Sequence, residues 1–154
     1  MKKFLVCVLS LILCFSVASC KCGENKPITL EDAQYGEEGK IIYLESYDFI
    51  QEKIDNKVNF ALYVYASGCL SCAAFSPYIN AYVEESKIIL YAIELSIFDE
   101  NNPEVGDLLK TPSVLIFNEG ELYEYIAAHI EDHSSYFESK DGFKQWFETY
   151  VIMK

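Results

Sequence analysis

The chain has 154 residues, of which 51% are hydrophobic, so it can fold around a core and is not a disordered polymer. Its formal net charge is −12, and all 12 of its basic residues are lysines. Because nucleic-acid-binding faces are basic and favour the arginine fork, these numbers argue against a nucleic-acid partner.

The first 19 residues have the pattern of a secretory signal peptide. Lys2 and Lys3 precede an apolar run at 4–17 that is too short to span a bilayer comfortably. The segment Val17-Ala18-Ser19-Cys20 resembles the bacterial lipobox, which implies cleavage before Cys20 and attachment of a lipid to its sulfur. An ordinary secretory signal, with Cys20 as a bystander, is the alternative. We expect a lipoprotein signal at 1–19 and a protein that is exported and lipid-anchored to the extracytoplasmic face of a bacterial membrane.

The remaining cysteines divide into a lone residue and a pair. Cys22 is expected to be a linker residue without chemistry, because no second cysteine pair stands at zinc-ligand spacing from it. Cys69 and Cys72 would meet oxidising conditions in an exported protein, which makes them candidates for a structural or a redox-active disulfide. Neither a metal nor a cofactor is expected.

The segment 20–40 is polar, contains glycines and a proline, and has no sustained periodicity, so it is predicted to be a flexible tether with some order near Ile28-Thr29-Leu30. The domain proper is then expected at 41–154. Its apolar runs predict five strands, at 41–44, 59–66, 87–95, 113–117 and 122–128. Its helical patterns lie at 47–55, 73–86 and 142–152, with a loop at 97–102, a short helix from Pro103 and an irregular polar stretch at 129–140.

This alternation of strands and helices predicts an α/β fold with a central mixed sheet, flanked by helices and closed by an antiparallel hairpin. The strand at 59–66 is apolar on both faces, which is typical of a central strand covered on both sides.

The segment Cys69-Leu70-Ser71-Cys72 follows a predicted strand and opens a predicted helix. Unpaired backbone N–H groups and the helix dipole at such a position favour a thiolate on the first cysteine. The second cysteine lies one turn further on, close enough to form a short disulfide.

At this point the chain resembles the thioredoxin family over residues 41–152. Besides the Cys-x-x-Cys, Pro77 resembles the family's kink proline and the turn at 118–121 resembles its hairpin turn. Thr111-Pro112 resembles the family's cis-proline, which lies against the active-site disulfide. The resemblance implies a thioredoxin-like fold, catalytic roles for Cys69 and Cys72, and a substrate-binding role for Thr111 and Pro112.

The chain departs from the family's pattern at several positions. Leu70 and Ser71 replace the usual Gly-Pro, and Gly68 replaces a tryptophan. The family's buried aspartate falls on Tyr63, which together with Tyr65 is predicted to be a core aromatic. Glu94 is the substitute acid that we consider for proton transfer.

The resemblance implies a membrane-anchored thiol–disulfide oxidoreductase whose reductase or oxidase direction is open. Its expected partners are protein thiols and disulfides outside the cytoplasm, among them a membrane electron-transfer protein, and the protein is expected to be a monomer. The alternative is a non-catalytic accessory lipoprotein, for example for secretion or bacteriocin export, in which the same fold binds a partner and the disulfide is structural.

Overall fold

The structure, a computed structural model, describes residues 26–102, 105 and 110–154. Its strands are β1 (Lys40–Leu44), β2 (Phe60–Tyr65), β3 (Ile89–Glu94), β4 (Ser113–Asn118) and β5 (Glu121–Ala127). They form one sheet in the order β1-β3-β2-β4-β5. β3 runs parallel to β1 and β2, whereas β4 runs antiparallel to β2 and β5. The predicted mixed sheet with its antiparallel hairpin is therefore confirmed.

Helices cover both faces of this sheet, as predicted. They are α1 (Asp48–Asp55), α2 (Leu70–Ser86), α3 (Leu95–Asn101) and α4 (Lys140–Tyr150), with short 3-10 helices at Asp32–Gln34 and Glu131–Tyr136. The buried side chains of α2 and α4 form one apolar cluster with the sheet, and those of α1 and α3 belong to a second cluster on the opposite face. The two long helices, α2 and α4, thus lie on the same face of the sheet, and the cysteine pair stands at the start of α2.

β2 is the central strand, and its side chains alternate between the two clusters. Phe60, Leu62 and Val64 pack towards α1 and α3, whereas Ala61 and Tyr63 pack towards α2 and α4. All five side chains are buried. The prediction of a central strand covered on both sides is confirmed. The cysteines follow directly after this buried strand, so its packing fixes the position at which they leave the sheet.

The prediction of a loop at 97–102 is wrong, because α3 extends from Leu95 to Asn101. Leu95 and Phe98 lie three residues apart and therefore share one helical face. Phe98 is fully buried against Tyr47, with the rings edge to face. The acidic residues Asp99 and Glu100 stand on its exposed side. The short helix expected from Pro103 lies outside the described residues.

The C-terminal region differs from the prediction in its boundaries. The stretch expected to be irregular contains the 3-10 helix Glu131–Tyr136. α4 begins at Lys140 rather than at 142, because the Ser139 hydroxyl accepts a hydrogen bond of 3.0 Å from the N–H of Gly142 and so caps the first turn.

The order expected near Ile28-Thr29-Leu30 is present, but the flexible tether predicted around it is wrong for the described residues, because the packing on the domain extends to Gln34 and Tyr35. Leu30 is buried in the cluster formed with α2 and α4. Ile28 pairs with the C-terminal strand segment: its N–H donates to the carbonyl of Tyr150, and its own carbonyl accepts from Ile152, both at 2.8 Å. The domain therefore begins well before residue 41. The apolar residues of this segment are too few to give a periodic signal, yet Ile28, Leu30 and Tyr35 pack in or against the core.

Gln34 shows why this segment is fixed. Its side chain is fully buried, and its amide nitrogen donates to the carbonyls of Ala61 at 2.9 Å and Ile89 at 3.1 Å. Its amide oxygen accepts from the N–H of Ala61 at 2.9 Å. The side chain thus pairs backbone groups of β2 and β3 that would otherwise be buried without partners.

Residues 1–25 lie outside the described residues, and with them the predicted signal peptide, Cys20 and Cys22. Among the helices that the structure describes, none is long and apolar enough to cross a membrane.

Candidate active site

The cysteine pair lies where β2 ends and α2 begins. A turn through Gly68, whose φ of 74° favours glycine, leads from the strand to Cys69. Cys69 is the N-cap residue of α2, and Cys72 lies in the first turn of the helix. Their Cα atoms are 5.2 Å apart, and the two sulfur atoms are joined in a disulfide. Cys69 is half-buried, whereas Cys72 is only 7% exposed, so the first sulfur is the more accessible to a partner.

Backbone geometry directs positive charge density at the first sulfur. The Sγ atom of Cys69 accepts a hydrogen bond from the N–H of Cys72 at 3.0 Å, as the side chain of an N-cap residue does. A negative charge at this position is stabilised by the unpaired N–H groups and by the helix dipole. The arrangement therefore favours a thiolate on Cys69 when the disulfide is reduced.

Thr111, in the loop before β4, lies against the Sγ atom of Cys69. Its Oγ1 atom is a hydrogen-bond donor 3.5 Å from the Sγ atom of Cys69, and its carbonyl oxygen lies 3.6 Å from that sulfur. The Thr111–Pro112 peptide bond is cis, as the resemblance implied. The loop is fixed on its far side, where the carbonyl of Pro112 accepts from Ala128 at 3.0 Å. The sequence-predicted residues Cys69, Cys72, Thr111 and Pro112 are thus brought together.

The opposite side of the disulfide borders a cavity of about 390 Å³. Three tyrosines from the first two strands, Tyr43, Tyr63 and Tyr65, form one wall. Residues of α2 form the other wall, among them Cys72 and Ser76, and Cys69 lies at the rim. The cavity is lined mainly by apolar and aromatic groups, and none of its lining side chains carries a charge.

The tyrosine rings pack against one another. The rings of Tyr43 and Tyr65 meet edge to face at 5.2 Å between centroids, and those of Tyr63 and Tyr65 lie 6.0 Å apart. Burial, with a smaller contribution from the neighbouring hydroxyls of Tyr43 and Tyr65, raises the pKa of Tyr63 well above its ordinary value of 10.0. Tyr63 is therefore a neutral phenol at physiological pH.

No protein-family model matches the chain. Several solved structures are similar to it. Thioredoxin h of Nicotiana alata superposes with a TM-score of 0.56 at 18% identity, covering 76% of this chain and 97% of that one. The thioredoxin of Malassezia sympodialis gives a TM-score of 0.55 at 14% identity, covering 73% and 91%. Oxidised thioredoxin O1 of Arabidopsis thaliana gives 0.52 at 15% identity, covering 74% and 99%.

The chain has the thioredoxin fold. Sequence identities of 14–18% show a shared fold and not a shared activity. The cysteine pair at the start of α2 and the cis peptide bond before β4 lie where the sequence resemblance implied them.

Within this thioredoxin fold, Glu94 lies at the end of β3, beside the turn that leads to the cysteines. Its carboxylate accepts a hydrogen bond of 3.3 Å from the N–H of Ser67. Glu94 does not line the cavity behind the disulfide. Tyr63 and Cys72 both line that cavity.

The prediction that Tyr63 and Tyr65 are core aromatics describes only part of their position. Tyr63 is 4% exposed and packs on Phe75, yet it also forms part of the cavity wall. The sequence did not predict that Tyr43 lines the cavity, because Tyr43 belongs to β1 and comes close to Tyr65 of β2 only when the sheet has formed. The aromatic residues at the ends of β1 and β2 were the one signal in the sequence.

Proposed function

We propose that the protein is a thiol–disulfide oxidoreductase that is exported and held at the extracytoplasmic face of a bacterial membrane by a lipid on Cys20. One observation carries the catalytic part: the half-buried sulfur of Cys69 receives hydrogen-bond donors from both the N–H of Cys72 and the hydroxyl of Thr111. A sulfur held in this way is stabilised as a thiolate, which is the species that attacks disulfides.

In the reducing direction, the Cys69 thiolate attacks one sulfur of a partner disulfide. The partner's S–S bond breaks, and its second sulfur leaves as a thiolate that takes up a proton. Cys72 then loses its proton and attacks the sulfur of Cys69, which releases the first partner sulfur as a thiol. Two electrons pass from the cysteine pair to the partner, and the Cys69–Cys72 disulfide remains. Run in reverse, the same steps oxidise a partner dithiol.

Thr111 and Pro112 would hold the partner segment during this exchange, since their backbone borders the attacking sulfur. Glu94, whose carboxylate accepts from the N–H of Ser67 in the turn before the cysteines, is the acid that we assign to proton transfer. Glu94→Gln should then change the pH profile of the exchange rate, whereas a purely structural role for the hydrogen bond to Ser67 would leave the profile unaltered.

The catalytic proposal is tested by reduction of insulin disulfides with the full chain, a dithiol reductant and three matched variants. Cys69→Ser should abolish the activity, and Cys72→Ser should stop turnover after one mixed disulfide. Cys22→Ser, the same substitution at the cysteine outside the pair, should leave the rate unchanged. Wild-type activity equal to that of Cys69→Ser, together with a Cys69–Cys72 bond that resists mild reductant, would favour the accessory protein with a structural disulfide.

The membrane proposal has a separate test. Cells expressing the chain are supplied with a labelled fatty acid, and the membrane fraction is probed for the protein. The wild type should carry the label and sediment with membranes, and Cys20→Ala should lose both properties. If Cys20→Ala still carried the label, the proposal that the lipid is attached to Cys20 would be contradicted.

The partner is expected to be an extracytoplasmic protein with a cysteine pair, such as a membrane electron-transfer protein. Because Cys72→Ser cannot resolve the mixed disulfide, a chain with this substitution should accumulate joined to its partner in cells. Non-reducing electrophoresis of the membrane fraction would show this adduct. The double variant that carries both Cys69→Ser and Cys72→Ser should not form it.

A further inference from the structure

The cavity behind the disulfide has the features of a binding site that the exchange mechanism does not use. Its volume of about 390 Å³ is well above the roughly 150 Å³ of an apolar cavity that admits benzene. It lies on the tyrosine side of the disulfide, and neither Thr111 nor Pro112 lines it.

One hydroxyl of this cavity is available to a ligand. The Tyr63 residue is 4% exposed, and its oxygen makes no hydrogen bond within the part of the chain that the structure describes. No described polar side-chain atom is both sealed from solvent and unpaired, so this oxygen is accessible to solvent, and Tyr63 lines the cavity. Such a hydroxyl can donate to water or to a ligand that supplies an acceptor.

The lining defines the chemistry of the ligand. It contains aromatic rings, apolar side chains and neutral hydroxyls, and no charged group. A charged ligand would therefore lose its hydration without gaining an ion pair. A ring can pack edge to face on the Tyr43–Tyr65 pair, and a polar atom at its edge would meet the hydroxyl of Tyr63.

The position of Cys69 at the rim identifies the source of such a ring. In a mixed disulfide the partner's cysteine is bonded to this sulfur, and consecutive residues of a chain are about 3.8 Å apart between Cα atoms. The residue next to the partner's cysteine is thereby held at the mouth of the cavity.

We propose that the cavity formed by Tyr43, Tyr63 and Tyr65 binds an uncharged aromatic side chain adjacent to the partner's reactive cysteine and so selects partner proteins. This inference rests on the proposed function, because the mixed disulfide delivers the side chain. Leu70, which is 86% exposed at the rim, extends the apolar surface that the approaching segment meets.

The test uses the reduced full chain and short peptides whose single cysteine is joined to glutathione as a mixed disulfide. The peptides differ only next to the cysteine, with phenylalanine, alanine or aspartate placed before it in one set and after it in another. In a single reaction the protein dithiol becomes its disulfide and releases one peptide thiol and one glutathione, which are measured by chromatography. In at least one set, the second-order rate constant of this reaction should be about tenfold higher for phenylalanine than for alanine, and lowest for aspartate.

Variants locate the preference. Tyr43→Ala should reduce the ratio of phenylalanine to alanine below about threefold, whereas Tyr43→Phe keeps the ring and should keep the ratio. Ala73→Phe, which fills the cavity from the α2 wall, should also remove the preference and guards against a folding defect in Tyr43→Ala. Tyr78→Ala is the matched control, since this tyrosine is exposed on α2 outside the cavity.

The outcomes separate the two proposals. Equal rates for phenylalanine and alanine in both sets, or a preference that survives both Tyr43→Ala and Ala73→Phe, would overturn the binding site and leave the oxidoreductase intact. No exchange with any peptide would overturn the oxidoreductase, and the binding site with it.

Discussion

The Thr111 side and the tyrosine side of the disulfide differ in what they present to the two sulfur atoms. The Thr111 side is polar and places a hydroxyl and a carbonyl oxygen within 3.6 Å of the sulfur of Cys69. The tyrosine side is aromatic and forms an uncharged cavity next to both cysteines. In the proposed function, reactivity and selectivity are therefore separated: the polar atoms stabilise negative charge on the sulfur of Cys69, and the aromatic wall selects the side chain that packs beside it.

The largest expected effect on stability comes from removing Phe75, the buried ring that packs behind Tyr63. Phe75 is buried between Tyr63, Phe137 and Phe143, with ring centroids 4.9 to 6.1 Å away. Phe75→Ala should lower the free energy of unfolding by about 3–5 kcal/mol, because it removes these contacts and leaves a void. Denaturant unfolding measures the loss, and Tyr78→Ala on the exposed side of α2 should stay within about 0.5 kcal/mol of the wild type.

Tyr63→Asp would place a carboxyl group in the uncharged cavity. Burial should raise its pKa above the ordinary aspartate value, so the folded state would hold the proton more tightly than the unfolded state does. Stability should therefore fall as pH rises above about 4, by roughly 2–4 kcal/mol at neutral pH. Unfolding free energies at several pH values would show this slope. Tyr63→Asn serves as the uncharged control, and equal slopes in the two variants would contradict an uncharged environment.

Alkaline pH should destabilise the tyrosine side through the ionisation of Tyr63. Because burial raises the pKa of Tyr63 above 10.0, the stability it contributes is complete below pH 10 and is lost as pH rises further. Other buried tyrosines share this behaviour, among them Tyr82 and Tyr91. Between pH 9 and 11, the oxidised wild type should therefore lose about 1.4 kcal/mol more than Tyr63→Phe. An identical loss in both proteins would show that Tyr63 ionises freely in the folded state.

The smallest effect is expected on the Thr111 side. Thr111→Val removes the hydroxyl that donates to the sulfur of Cys69, and loss of a hydrogen bond to the charged form raises the pKa of the thiol. A hydrogen bond worth about 0.5–1.5 kcal/mol corresponds to a rise of at most about one unit. Ultraviolet titration of the thiolate in the reduced protein measures it. Thr111→Ser retains the hydroxyl, and a rise of the same size in that variant would assign the effect to packing.

The sheet and the Thr111 side could be predicted because their signals are local or shared with a family. Apolar runs identified the five strands of the described sheet, and the polar turn at Glu119 and Gly120 identified the hairpin, where both residues have positive φ. The proximity of Thr111 to Cys69 spans 42 positions and carries no periodic signal. Only the resemblance to the thioredoxin family predicted it.

The tyrosine side and the N-terminal segment could not be predicted, for two physical reasons. A cavity depends on which side chains are small where strands and helices meet, and its tyrosines come from two strands that are not adjacent in the sheet. Gln34 is a polar residue in a polar stretch, and its role appears only when unpaired backbone groups of β2 and β3 are brought beside it.

The pairing of Ile28 with the C-terminal segment fixes where the chain can be held. Ile28 and Ile152 lie together at the end of the sheet where β2 begins, and Glu31 donates to the carbonyl of Asn59 just before that strand. Cys69 follows the opposite end, about 20 Å away along the six residues of β2. An anchor upstream of residue 26 or a carrier fused after Lys154 would therefore hold the domain by its base, with the disulfide pointing outwards and open to approach.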